Sequence, residues 1–441
     1  MSELLNLPRD LGDGLVLRWA TAEDAEALAE FNFRHHNDDP MGKPETWLKE
    51  WTRDLLDGGH PTTGPQDVTV VVDENDGGKI VSAVFLISQT WRYDDVVFGC
   101  GMPELVATDE AYRRRGLVRL QMDAIHALSQ KKGELVQIIA GIPWYYRQFG
   151  YEMALDLGGG VRVPVDLIAA LPESEKEQYH LRPAETVDLS DLKALYERGC
   201  ERSLISCVRD DTVWCHEIEK GLERPVSHRH MEMIETAEGN TVGYVQIHTF
   251  PAPYQLNELE IYPGHSLRAV CLFLCRAIKA QIEETGLEKK PKILYFSLGQ
   301  SHPAYDALGT LGNWRRPYAR FVRVPDLSRF LLHIRPVLER RLAESVMAGH
   351  NGCLKLNFYT SQLKVDIEAG KITAVEPYIP DDFFDFDVFF PDLTFLQVLF
   401  GRRDLEELRH IYADCFPRND ESALLLKILF PKSSSYVINV N

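Results

Sequence analysis

The 441-residue sequence lacks an excess of positive charge, a paired cysteine pattern and any long apolar run. Its 66 acidic side chains outnumber 48 basic ones, which leaves a net charge of −18. This balance argues against binding to nucleic acid or anionic membranes and favours a cationic small-molecule partner. The eight cysteines form no Cys-x-x-Cys pair, so neither a zinc site nor a disulfide framework is indicated and we expect no metal.

The composition is that of a folded protein of several domains. The apolar fraction of 45% and the charged fraction of 26% are typical of soluble globular proteins, and the length predicts about three domains. The segment MSELLNLPRDLGDG has no basic stretch followed by an apolar one, and no apolar run reaches membrane-spanning length. We therefore expect a cytoplasmic location.

The first third of the sequence alternates strand and helix patterns. An amphipathic helix is predicted over 21–36, and three apolar or alternating runs at 68–73, 80–88 and 96–107 predict consecutive antiparallel strands. A second helix, from about residue 117, follows Arg113, Arg114, Arg115 and Gly116. Basic side chains are unfavourable at a helix N-terminus, so this cluster predicts a bound anion.

Gly116 suits such a site, because a glycine lets backbone N–H groups approach a phosphate without a Cβ in the way. The arginines would add charge-assisted hydrogen bonds. The alternative is a solvated basic cap on a surface helix, since short glycine motifs also match by chance.

A second motif, WYYRQFGYE at 144–152, follows the next predicted strand. By itself a tyrosine such as Tyr146 is more often a packed aromatic residue than a catalyst. Together, YRRRGLVR and YYRQFG resemble the GNAT superfamily of acetyl-CoA-dependent N-acetyltransferases. In that superfamily an Arg/Gln-x-x-Gly-x-Gly/Ala turn holds the pyrophosphate of coenzyme A, and a tyrosine lies beside the thioester sulfur. Val118 departs from the usual small residue of that turn.

The rest of the chain indicates two further domains. The segment LRPAETVDLSDLKALYERGC repeats the opening pattern, and HPAYDALG is a weaker copy of the tyrosine motif. Pro263, Gly264, His265 and Ser266 replace the arginine turn, so this copy is not expected to bind coenzyme A. We predict domains at 1–172, 173–324 and 325–441, the last resembling a sterol carrier protein, although its apolar stretches are also explained by an ordinary core.

This organisation resembles the enhanced-intracellular-survival (Eis) family of acetyltransferases over essentially the whole chain. The resemblance implies an α+β fold with tandem GNAT units, whose mixed, largely antiparallel sheets are flanked by helices, and a C-terminal sterol-carrier-like domain. It also implies acetyl transfer from acetyl-CoA to amines of aminoglycosides, polyamines or lysine side chains, in a hexameric assembly.

The resemblance further implies a set of cofactor-binding residues. The pantetheine arm would pair with the strand backbone, opposite the point where the neighbouring strand diverges, and the pyrophosphate would lie in the arginine turn. The residues so implied are Val106, Ala107, Thr108, Arg114, Arg115, Gly116, Leu117, Val118, Arg119, Gly141 and Ile142.

Three residues are candidates for the chemistry. Tyr146 resembles the family's general acid, which suits a reaction in which a departing thiolate must gain a proton. The base is either the terminal carboxylate of Asn441, although SSSYVINVN lacks the family's acidic-aromatic ending, or Glu104 on the strand before the arginine turn. A terminal carboxylate is a weak base unless it is desolvated or acts through water, and Glu104 is equally explained as a surface residue.

Two acidic and aromatic segments, RHHNDDP at 34–40 and PDDFFDFD at 380–387, are candidates for an amine-binding cleft or for solvated loops. A non-enzymatic alternative is a protein that senses acetyl-CoA, or binds lipid in its last domain.

Overall fold

A computed structural model describes residues 3–36, 47–223, 229–248, 254–284, 290–380, 382 and 385–440. The first part of the chain forms β1 (Arg9–Gly12), β2 (Leu15–Trp19), α1 (Ala25–His35), α2 (Trp47–Leu56), β3 (Val68–Asp73), β4 (Lys79–Tyr93), β5 (Val96–Thr108), α3 (Leu117–Lys131), β6 (Val136–Ile139), β7 (Glu152–Leu157) and β8 (Gly160–Pro164). The helices predicted over 21–36 and from 117 are confirmed, whereas α2 was not predicted.

The middle of the chain repeats this sequence of elements. It forms β9 (Tyr179–Pro183), α4 (Leu189–Cys200), β10 (Ile205–Val208), α5 (Asp211–Glu223), β11 (Arg229–Thr236), β12 (Thr241–His248), β13 (Tyr254–Ile261), α6 (Leu267–Glu284), β14 (Ile293–Phe296), α7 (Ala304–Leu308), β15 (Asn313–Arg315) and β16 (Tyr318–Arg323).

The two corresponding sheets share an order of strands. In the described residues the first sheet runs β1-β2-β3-β4-β5-β6-β16-β7, with β10 on β4, and the second runs β9-β11-β12-β13-β14-β8-β15. A parallel pair lies at the same place in each, β5 with β6 and β13 with β14, and the other pairs are antiparallel.

The start of each sheet also repeats in detail. Arg18 donates two hydrogen bonds to the Asp24 carboxylate, at 2.7 and 2.8 Å. Arg182 donates two to Asp188, both at 2.7 Å. Such bidentate pairs are specific in geometry, so the two units begin with the same local structure.

The sheets exchange strands, which the expected boundary at 172/173 did not anticipate. β8 comes from the first part of the sequence but pairs with β14 of the second sheet. β16 comes from the second part but lies between β6 and β7 of the first sheet. Sequence boundaries and sheet boundaries therefore differ.

The last part of the chain packs on the first sheet. It forms α8 (Leu327–Ala343), β17 (Gly352–Asn357), β18 (Gln362–Glu368), β19 (Lys371–Pro377), β20 (Val388–Phe389), α9 (Phe395–Leu399), α10 (Leu405–Ile411), β21 (Phe416–Pro417) and α11 (Asp420–Leu429). Phe330 of α8 lies against the ring of Phe98, with centroids 5.4 Å apart, and on Phe400 at 5.8 Å. These contacts belong to one hydrophobic core that spans the first sheet and this last unit. None of the helices described here is sufficiently long and apolar to traverse a bilayer.

Candidate active site

A cavity of about 760 Å³ opens where β5 and β6 diverge. The two strands pair in parallel at Cys100 with Val136 and at Gly101 with Gln137, and β5 then continues to Thr108. The register of β5 against β4 shifts between Phe85 and Ala83, and Leu105 within this bulge has a left-handed φ of 50°. Bulges of this kind bend a strand and redirect its groups, so the backbone of 106–108 lines the cavity.

The tip of α3 forms one end of the cavity. Gly116 precedes the helix with φ 77°, and Arg114 also has a positive φ of 65°. The N–H of Leu120 bonds to the Gly116 carbonyl at 3.2 Å, so the N–H groups of 117–119 form the helix's open first turn. Among the described residues, no heavy atom lies within 4 Å of the place where a Gly116 Cβ would stand. This arrangement suits an anion in contact with the backbone.

The arginines of this turn divide between two roles. Arg113, Arg114 and Arg119 line the cavity, and Arg119 donates a 2.9 Å hydrogen bond to the Gln148 side chain. Arg115 does not line it, because its guanidinium lies over the Tyr112 ring, 5.1 Å from the centroid. Every other residue of the expected cofactor set lines the cavity, namely Val106, Ala107, Thr108, Arg114, Gly116, Leu117, Val118, Arg119, Gly141 and Ile142.

Tyr146 also lines the cavity, on a short 3-10 helix over Tyr145–Phe149. The residue is only 5% exposed. A Cβ at Gly141 would stand 2.8 Å from Tyr146 Cε2, closer than van der Waals contact permits, so glycine there makes room for the ring. Phe321 of β16 packs edge-on against the ring at 5.8 Å. These contacts hold the phenol in one position at the cavity wall.

Glu104 lines the same cavity and is partly buried. Burial raises the pKa of its carboxyl to about 7, against the opposing effects of the Leu105 N–H and the Arg320 charge. The pKa of Tyr146 is raised chiefly by burial and next by Glu104. The two groups therefore interact, and near neutral pH the site holds a protonated phenol beside a carboxyl that titrates.

The C-terminal segment approaches this site along β5. Val440 is buried, and its carbonyl accepts a 3.2 Å hydrogen bond from Gln89 Nε2. The Asn439 amide contacts Met102 Sδ at 3.0 Å, two residues before Glu104. Arg320 of β16 hydrogen bonds to the Asn439 side chain and to the Val437 carbonyl. Asn441 lies outside the described residues, so its predicted role as base stays a prediction.

Arg320 was not found by sequence reasoning. It is nine-tenths buried and bonds to the C-terminal segment, yet it lies far from every motif in the sequence. It reaches the site only because β16 inserts into the first sheet, and a single sequence contains no signal for that insertion.

Of the two segments proposed for an amine cleft, only the first contributes described residues to the cavity lining. His35 and His36 line the cavity, whereas 37–40 are outside the described residues. Asp385 bonds to Lys355 at 2.7 Å and Phe386 is buried. The described residues of the 380–387 segment thus belong to the last unit. Residues 381, 383 and 384 lie outside the described residues.

The corresponding position in the second sheet is closed. There Nε2 of His302 bonds to the Leu259 carbonyl at 2.9 Å, and the Tyr436 hydroxyl bonds to the Ser297 carbonyl. The cavity at this place measures only about 60 Å³. His302, in the loop before α7, and Tyr436, in the C-terminal segment, thus occupy the gap beside β13 and β14. The equivalent gap between β5 and β6 of the first sheet is open.

A sequence model described as the acetyltransferase (GNAT) domain matches residues 23–154, which include the open strand pair, the arginine turn and Tyr146. The chain carries a GNAT acetyltransferase domain. It is therefore an acetyltransferase, and the residues that line the cavity all fall within the matched range. A search of curated proteins found no significant match.

Solved structures resemble the chain over nearly its full length. A GCN5-related N-acetyltransferase from Kribbella flavida is 16% identical, with TM-score 0.62 over 97% of this chain and 100% of that one. A probable N-acyltransferase from Enterococcus faecalis is 14% identical, with TM-score 0.67 over 97% and 99%. Eis1 from Mycobacterium abscessus is 14% identical, with TM-score 0.59 over 97% and 99%. At identities this low, the likeness shows that this chain and the three solved structures share a fold.

Proposed function

We propose that this acetyltransferase moves the acetyl group of acetyl-CoA to a primary amine of a cationic small molecule or a lysine side chain, by direct attack on the thioester. The observation that carries the proposal is a single cavity bordered by the tip of α3, the diverging edge of β5, Glu104 and Tyr146. The combination supplies an anion site, a strand edge, a base and an acid.

In this proposal the pyrophosphate of coenzyme A binds to the N–H groups of 117–119, with Arg114 and Arg119 adding positive charge. The pantetheine arm hydrogen bonds to the backbone of 106–108. That arm then directs the thioester toward Gly141 and Tyr146, where the strands have separated.

The proton transfers follow from the site's pKa values. An amine with a pKa of about 10.4 must lose a proton before it attacks, and a thiolate with a pKa of about 8.5 must gain one. Glu104, with its pKa raised to about 7, is half ionised near neutral pH and suits a general base. Tyr146 keeps its proton because its pKa is raised, so it can protonate the sulfur. The carboxylate of Asn441 is the alternative base.

The proposal that the acceptor is a cationic amine rests on the net charge of the protein. A protein of net charge −18 attracts cations, and an aminoglycoside or polyamine carries several amines of which one must reach Glu104. His35 and His36 border the cavity on the side of α1, and we assign that side to the acceptor.

The wider organisation is proposed on the same grounds. The repeated strand order supports tandem GNAT units of which the second has lost its cofactor site. The resemblance to Eis extends the proposal to a sterol-carrier-like last unit, a hexamer and a cytoplasmic location.

Two measurements test the function. Calorimetric titration with acetyl-CoA measures binding, and release of free thiol with tobramycin, spermidine or a lysine peptide measures transfer. We expect one cofactor per chain and thiol release with at least one amine. Binding without transfer to a broad amine panel would instead support an acetyl-CoA sensor, and no binding would exclude both.

A further inference from the structure

Three potential metal ligands converge between the first and second units, and none of them is among the residues that line the cofactor cavity. They are Asp54 on α2, His60 in the loop after α2, and His216 on α5. One ligand atom from each lies within 4.8 Å of the other two. The three residues are separated in sequence by up to 162 positions, so only folding brings them together.

The cluster is enclosed and ordered by contacts. His216 Nε2 lies 2.9 Å from Asp54 Oδ2, and the rings of His60 and His216 meet edge to face at 4.9 Å. Asp54 is 5% and His60 7% exposed. Polar groups so deeply buried are costly unless they bind one another or an ion, and the His216 side chain is 11% exposed.

We propose that Asp54, His60 and His216 form a zinc site with water as its fourth ligand. A donor set of two imidazoles and one carboxylate suits Zn²⁺ better than Mg²⁺ or Ca²⁺, because those two ions prefer oxygen ligands. Ligand atoms about 2.0 to 2.1 Å from a tetrahedral ion lie about 3.4 Å apart. The Asp54–His216 distance of 2.9 Å must therefore open by roughly 0.5 Å when the ion binds.

The ring of His60 makes one long hydrogen bond within the loop after α2. Its Nδ1 accepts a hydrogen bond of 3.3 Å from the Thr62 N–H, longer than ordinary hydrogen bonds to nitrogen donors. Such a weak contact can be exchanged for a bond to the ion.

The position of the site suggests what the ion does. α2 is tied to α1 by the 3.0 Å hydrogen bond from Asn32 to Thr52, and α1 leads directly to His35 at the cavity. α5 packs on the second sheet through β11. An ion between α2 and α5 would fasten the second unit to the helix pair beside the cavity. It is a structural ion that takes no part in acetyl transfer.

The proposal is tested with Co²⁺ as the probe, because its visible absorption reports coordination. Full-length protein is freed of metal with a chelator, titrated with CoCl2 and then with ZnCl2. We expect one equivalent of Co²⁺ with the intense absorption of a four-coordinate site, its displacement by Zn²⁺, and a rise in the thermal midpoint with either metal. His60→Gln and His216→Gln should each lower metal affinity at least tenfold. His410→Gln, an exposed histidine of α10, is the control and should bind as the parent does.

Asp54→Asn guards against loss of fold, since an amide can still hydrogen bond to His216 while giving up the anionic ligand. It should fold, bind acetyl-CoA normally and lose metal binding. The proposal is overturned if the parent protein binds less than a tenth of an equivalent of either metal. It is also overturned if Asp54→Asn and the two histidine variants bind metal as well as His410→Gln. Neither result affects the acetyltransferase proposal, because acetyl-CoA binding is measured separately.

Discussion

Glu104, the proposed base, must be able to give up its proton near neutral pH, whereas Tyr146, the proposed acid, must keep its own. The same buried environment meets both requirements. Burial disfavours the charged form of each group, which brings the pKa of the carboxyl up to about 7 and keeps the phenol protonated. A base with a pKa near neutral and an acid that retains its proton are the pair that amine acetylation needs. The two residue types were predicted from the sequence, but the shifts in their pKa values depend on burial in the folded protein.

Tyr146→Phe removes the proposed acid and leaves the packing of the ring intact. We expect kcat to fall by about 10²-fold, with the Kd of acetyl-CoA nearly unchanged in calorimetry. Tyr305→Phe is the matched control, because Tyr305 stands at the equivalent place of the second motif and bonds to the Leu298 N–H. Equal losses in both variants would assign Tyr146 a structural role only.

Glu104→Gln tests the base through its pH dependence. A base must be deprotonated to act, so kcat/KM of the parent should fall as pH drops through about 7 and level off above it. The variant should be slower by about 10²-fold and lack that limb. A parent profile that is flat from pH 6 to 8 would contradict the assignment and favour the Asn441 carboxylate.

At the scale of elements, the site depends on where one helix begins. Gly116 before α3 and Gly133 after it both have left-handed backbone, with φ of 77° and 83°. At either place a Cβ would meet no described atom within 4 Å. The two glycines therefore share a conformational role, but only Gly116 borders the cofactor cavity.

Alanine variants of these two glycines separate the contribution of the anion site from the effect of backbone strain. Alanine at either position should cost about 1 to 2 kcal/mol of unfolding free energy because of its left-handed conformation. Only Gly116→Ala should also raise the Kd of acetyl-CoA, by about tenfold, which corresponds to about 1.4 kcal/mol. Chemical denaturation and calorimetry measure the two quantities. An unchanged Kd for Gly116→Ala would remove the pyrophosphate from this helix tip.

At the scale of the whole molecule, the exchanged strands make the first two units interdependent. β16 pairs with β6 and β7 on either side, and β10 pairs with β4. The core of the first sheet continues into the last unit. Folding therefore requires pairings between distant parts of the chain.

A fragment of residues 1–172 should consequently fail to fold on its own. It contains every described residue that lines the cofactor cavity but lacks β16, which leaves the facing edges of β6 and β7 unpaired. We expect no cooperative thermal transition by circular dichroism, whereas full-length protein should unfold sharply. A fragment that melts cooperatively and binds acetyl-CoA would show that the exchange is dispensable.

The sequence by itself determined the elements and motifs whose cause is local. Periodicity located α1, α3 and β3 to β5, and turn chemistry placed Gly116 and Tyr146 at the ends of neighbouring elements, because these signals act within a few residues. Only the tertiary structure decided that Arg115 turns away, that Arg320 bonds to the C-terminal segment, and that Asp54 meets two histidines. Each of these depends on strand pairing or helix packing between segments far apart in the chain, which a local pattern of residues does not encode.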